Sequence, residues 1–151
     1  MRLPDVAANP GSTWLMIGGA LSVAAALLHI ACLIGGPDWY RFFGAGEGMA
    51  RAAARGDWQP TLITLAISTV LLIWAAYAFS GAGTLPRVPL LRTGLVTITA
   101  IYLLRALIFV PLHLWRPQHT DSFAIWSSLI VLLYGTAYAI GTIKAWRYLT
   151  V

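Results

Sequence analysis

Charge is scarce in this sequence. Only 10% of its 151 residues are charged and 59% are hydrophobic, whereas a soluble domain is about a quarter charged. Such a chain cannot cover itself with a water-facing surface, and a soluble globular fold is excluded. Acids are scarcer still, five in all, and cysteine is limited to Cys32. A lone cysteine rules out an intramolecular disulfide, a CxxC redox centre and a thiolate zinc site. Thiol oxidation therefore drops out as a chemistry. Signatures of a serine nucleophile, a P-loop or a dinucleotide fold are missing too. So is any basic run interleaved with aromatics, and no nucleic-acid partner is expected. The net charge of +5 is what topology and contact with membrane lipids require of residues beside membrane spans.

What remains is apolar helix with one polar interruption. Seven Trp and six Tyr suit aromatic belts at two bilayer interfaces. Residues 13–35, 59–79, 91–112 and 123–146 each reach about the ~20 residues that cross a ~30 Å hydrocarbon core. Residues 1–12 lack the charged region and small-residue cleavage site of a removable signal peptide. The expected fold is an all-α membrane protein, a single domain over residues 1–151. Its four transmembrane helices form an up-down-up-down bundle, the default for short connections.

The interruption runs over residues 35–60, GGPDWYRFFGAGEGMARAAARGDWQP. Gly35, Gly36 and Pro37 should end the first span. An aromatic turn over 39–43 follows, then a break at 44–46. Glu47, Arg51 and Arg55 share one face at i, i+4, i+8, the acid preceding the bases as the macrodipole favours. This predicts a short amphipathic helix in the loop between helices 1 and 2, on the membrane surface or over the bundle mouth. Asp57 and Asp121 read as N-caps.

Two ionisable residues fall inside spans. Arg105 lies ~10 Å and His29 ~9 Å from the loop-side ends of their helices at 1.5 Å per residue, so their depths match. A buried arginine is costly and seeks an interior partner. The competing reading is a guanidinium that snorkels to the interface. His29 sits on a stripe with Gly18, Ser22, Ala25, Cys32 and Gly36, where an interhelical hydrogen bond competes with a ligand role. A shared pocket opening beside residues 36–58 would be lined by His29, Asp38, Trp39, Tyr40, Glu47, Thr61, Thr64, Ser68, Tyr102, Arg105, Ser128 and Tyr134.

Metal and haem are weighed and set aside. His113, His119 and Asp121 share a connector, but their spacing matches no zinc pattern. His29 and His113 differ in depth, which disfavours a bis-histidine haem. No cofactor is expected. Bases number five on the terminus side (Arg2, Arg87, Arg92, Lys144, Arg147) and four opposite (Arg41, Arg51, Arg55, Arg116). That excess puts both termini in the cytoplasm, in a bacterial cytoplasmic membrane.

Three functions fit this pattern. The first is binding or transport of a small ligand, with Arg105 favouring an anionic or carbonyl-bearing one. The second is an enzyme acting on a lipid or quinone, with His29 or Glu47 carrying protons. The third is an accessory subunit packed on a partner membrane protein, or a homo-oligomer.

Overall fold

The computed structural model describes residues 9–108, 111 and 122–149. The described residues are mainly helical, with no strand among them. In chain order the helices are α1 (Ser12–Gly35), α2 (Pro37–Phe42), α3 (Glu47–Ala54), α4 (Trp58–Ala82), α5 (Leu91–Leu107) and α6 (Ser122–Lys144). A 3-10 turn follows at Trp146–Leu149.

Three segments are long and apolar enough to cross a membrane: Ser12–Gly35, Trp58–Ala82 and Ala124–Lys144. They carry the reading of a small membrane protein. The fourth expected span, 91–112, is described as a helix only to Leu107, 17 residues, or ~25 Å at 1.5 Å per residue. The connector with His113, His119 and Asp121 lies outside the described residues.

The breakers act where the sequence put them. α1 stops at Gly35; Gly36 takes φ 68° and Pro37 opens α2. Gly44 and Gly46 also have positive φ, separating α2 from α3. Gly56 does the same before α4, at φ 77°. Glycine pays no Cβ penalty in this region of backbone space.

The chain forms two compact units. One comprises Met1–Ser22 and Trp74–Val151, the other Val23–Ile73. In the first, Leu15, Leu95, Tyr138, Ala78, Ala82 and Ala145 are fully buried. Helices approach closely through glycines here. A Cβ on Gly141 would lie 2.7 Å from Leu15, and one on Gly135 would lie 2.7 Å from Leu103. Small residues at crossings let backbones gain dispersion contacts that lipid tails cannot supply.

In the second unit Cys32, Tyr40 and Ala50 form a small core, with Leu33, Phe43, Met49 and Ala53 against it. α3 thus turns Ala50 inward while Glu47 and Arg51 stay exposed. Trp39 lies over Gly35, where a Cβ would come within 2.1 Å of the indole. Any side chain at 35 would push that ring away.

Candidate functional site

The first unit contains a hydroxyl chain whose direction can be worked out. Tyr138 Oη donates to the Trp74 carbonyl at 3.0 Å. Its single proton is spent there, so the 2.9 Å bond to Ser22 requires Ser22 Oγ to donate. Tyr102 Oη, 3.0 Å from Ser22 Oγ, must then donate to it. Around this chain Tyr102 packs edge-on to Trp74 at 4.9 Å and lies 5.5 Å from Tyr134 between ring centroids. Every hydroxyl in the chain is satisfied, as burial demands.

The same unit carries an open pocket at the head of α5. Its volume is about 360 Å³, and residues 87–93 with Leu149 line it. The connector before α5 is pinned from α4. Ser80 Oγ donates to the Pro86 carbonyl at 2.9 Å and accepts the Val88 N–H at 3.1 Å. Tyr77 Oη holds the Pro89 carbonyl at 3.2 Å. Leu90 is left at φ 54°, ψ 32°, a left-handed conformation that a branched side chain seldom adopts. α5 then begins without a side-chain cap, leaving its first-turn N–H groups without the acceptor that a capping residue supplies.

Two arginines flank that turn. Arg87 donates from Nη2 to the Tyr148 carbonyl. Arg92 stacks its guanidinium over Trp146, 3.4 Å from the ring centroid. Its Nε is buried and has no acceptor among the described residues. Tyr148 and Trp146 belong to the 3-10 turn after α6, which therefore orients both side chains.

In the second unit the polar residues are bonded to one another. Tyr40 is 4% exposed; its Oη is 3.0 Å from Thr64 Oγ1 and 3.4 Å from the Pro60 carbonyl. Ser68 Oγ donates to the carbonyls of Thr64 at 3.0 Å and Ala26 at 3.3 Å. Arg41 binds Asp38 at 2.8 Å and grips Glu47 with Nε and Nη2 at 3.0 and 3.3 Å. Those hydrogen bonds, with the charges of Arg41 and Arg51 behind them, hold the Glu47 carboxyl below its ordinary value against a desolvation that pushes the other way. Arg41 is raised in turn, chiefly by Glu47 and then by Asp38.

The expected site residues therefore divide. Tyr40, Thr64 and Ser68 come together, as do Asp38 and Glu47 through Arg41. Tyr102 and Tyr134 are in contact, and Ser128 is buried with no partner for its Oγ among the described residues. Thr61 is exposed, and Trp39 is 42% exposed. His29 is half-buried with Nδ1 2.8 Å from the Ala25 carbonyl of its own helix. Arg105 is exposed and bonds to none of the described residues. His29 belongs to the second unit and Arg105 to the first, so their common pocket rests on estimated depth alone.

Some assignments shift. Glu47's main partner is Arg41, with Arg51 at 4.0 Å. Asp57, just before α4, gives its carboxylate to Arg55 at 2.8 Å. Arg87 and Arg92 entered the sequence reading only as topology charges; the prolines at 86 and 89 were the signal of a built turn between them. Tyr138 and Trp74 were missed, although Tyr134 and Tyr138 are one helical turn apart. Among the described residues no three of His, Cys, Asp and Glu gather to hold a metal ion. No protein family, curated protein or solved structure matches the chain.

Proposed function

We propose that this is a small integral membrane protein, with α5 as its fourth span, that binds a small anionic ligand at the head of α5 rather than transforming it. The observation that carries this reading is the pocket between Arg87 and Arg92. Each guanidinium is held in place, one by the Tyr148 carbonyl and one by the Trp146 ring. Pre-oriented forks lose less entropy on gripping an anion than free side chains do.

The sequence reading put the opening beside residues 36–58. There Arg41, Arg51 and Arg55 are each committed to a carboxylate, which leaves that side less receptive to an anion. Arg92 has no carboxylate partner among the described residues. The enzyme reading loses ground for a similar reason. Glu47 is gripped by Arg41, which removes one of the two proton carriers, while His29 is tied to the Ala25 carbonyl through Nδ1 alone.

The test is thermal unfolding of the purified protein against a panel of small anions. A ligand at a hundred times its Kd should stabilise the wild type by ~2.7 kcal/mol, and Arg92→Gln should lose the response. An identical response from Arg92→Gln, or none from any anion, would overturn the reading.

A second reading has its own observation. Arg105 is exposed on a face of α5 it shares with Ile101, Leu104 and Ile108. A guanidinium there suits an acidic residue of a partner membrane protein. Cross-linking from position 105 in membranes tests it, and labelling of lipid alone would count against it.

A further inference from the structure

We propose that the segment joining α1 to α4 is seated in the headgroup layer of the bilayer, on electrically neutral lipid, with its exposed aromatic side chains at the acyl boundary. Only the second unit is involved, and nothing here depends on the α5 pocket. α1 ends at Gly35 and α4 begins at Trp58, and both helices are long and apolar enough to cross a membrane. Ser68 Oγ of α4 donates to the Ala26 carbonyl of α1. Tyr40 of α2 bonds to Thr64 and to the Pro60 carbonyl near the start of α4. Cys32 of α1, Tyr40 of α2 and Ala50 of α3 share one small core. Both ends of the segment therefore stand at one edge of the hydrocarbon core, and α2 and α3 are tied down beside it.

What α2 and the two junctions leave uncovered is apolar. Ile34 is 86% exposed, Phe42 75% and Trp58 69%, with Trp39 partly exposed beside them. These side chains continue the lipid-facing surfaces of α1 and α4, and large rings at the ends of spans partition to the interface. The charges choose among lipids. Between 36 and 58 lie Asp38, Glu47 and Asp57 against Arg41, Arg51 and Arg55, and every one of them belongs to an ion pair. Pairing lowers the cost of carrying charge into a medium poorer in water. It also leaves no cluster of unpaired bases of the kind that recruits anionic headgroups. α3 turns Ala50 inward, and Gly48, ~200° round the helix from it at 3.6 residues per turn, is exposed on the outer side.

The experiment places nitroxide labels at Phe42→Cys, Trp58→Cys and Gly48→Cys, one at a time, in the full-length protein in phosphatidylcholine nanodiscs. Cys32 is buried, and the wild type carried through the same labelling gives the blank. Relaxation by oxygen, which concentrates in lipid, is compared with relaxation by a water-soluble nickel chelate. The oxygen-to-nickel ratio at 42 and 58 should exceed that at 48 by about threefold or more. Replacing part of the phosphatidylcholine by phosphatidylglycerol should change these ratios by less than about twofold. Arg41→Gln frees Asp38 and leaves Glu47 with Arg51 alone, at 4.0 Å. It should lower the ratio at 42 by about twofold or more, because an unpaired carboxylate draws the segment towards water.

Ready nickel access at 42 and 58, equal to that at 48, would mean that the segment stands in water and would overturn the proposal. Low access to both reagents at 42 and 58 would mean that protein covers them, a second copy of this chain included, and would overturn it too. A larger rise with phosphatidylglycerol would assign the segment to anionic lipid and end the assignment to neutral lipid. An unchanged ratio at 42 in Arg41→Gln would remove the ion pairs as the reason for the seating. Should Phe42→Cys fail to fold, the comparison of 58 with 48 decides the matter, since both positions are exposed.

Discussion

Tyr138 and Ser22 hold their hydroxyls 2.9 Å apart, and because the Tyr138 proton goes to the Trp74 carbonyl, Ser22 is the donor between them. The order of the chain makes its members unequal. Tyr138→Phe strands the Ser22 donor and empties the Trp74 bond. Tyr102→Phe only removes a donor from the outer end. Interhelical hydrogen bonds in membranes contribute ~0.6 to ~2 kcal/mol. Tyr138→Phe should cost ~1–2 kcal/mol and Tyr102→Phe less, measured by denaturant unfolding in detergent. The double variant should cost less than the sum.

Glycine substitutions should split by neighbourhood rather than by residue type. A Cβ on Gly11 would stand 2.2 Å from the Gly141 carbonyl and 2.6 Å from the Ala145 nitrogen. Backbone cannot step aside as a side chain can, so Gly11→Ala should destabilise by at least ~1–3 kcal/mol. Gly48 lies inside α3 with nothing within 4 Å of its added Cβ. Gly48→Ala should raise the unfolding temperature, on the order of 0.5–1 kcal/mol from helix propensity.

Acid should loosen the tie between α2 and α3. Glu47's folded value lies below its ordinary 4.5 because of Arg41's hydrogen bonds. Its contribution is therefore present above pH 4.5 and is lost as the pH falls through the depressed folded value. The pair is exposed, so added salt should weaken it as well. Hydrogen exchange of the α3 amides should quicken in acid relative to a Glu47→Gln variant at the same pH. Parallel curves for the two proteins would contradict the assignment.

Arg105→Leu should be nearly neutral or slightly stabilising in lipid, within ~0.5 kcal/mol. The exposed guanidinium gives up no bond to a described residue. A loss of several kcal/mol would instead mean a stranded buried carboxylate. The measurement is unfolding in bicelles, wild type against variant.

Which parts of this architecture were legible follows from the range of the interactions involved. Gly35, Gly36 and Pro37 act on their own backbone, so the end of α1 could be read locally. The break over 44–46 and the helix from Glu47 obey the same logic. The partners of the polar residues could not be read this way. Arg92 meets Trp146 and Ser22 meets Tyr138 only after distant helices pack. Glu47 was given to Arg51 by helical spacing, yet Arg41 reaches it across the 44–46 turn with a better fork. Depth gave Arg105 and His29 one height, but depth fixes only height along a helix and not rotation about it, so their common pocket stays an expectation.

The buried line of α4 has one further consequence. Pro60, Thr64, Ser68, Leu71, Ala75, Ala78 and Ala82 face inward, and most residues between them are exposed. A lipid-facing position asks only for apolarity and helix formation, which Leu, Ile, Val and Phe satisfy almost equally. Substitutions can thus accumulate around most of the helix circumference without touching the fold. Two chains of common descent would keep this register of small and hydroxyl residues, three or four apart, long after their overall resemblance had dissolved.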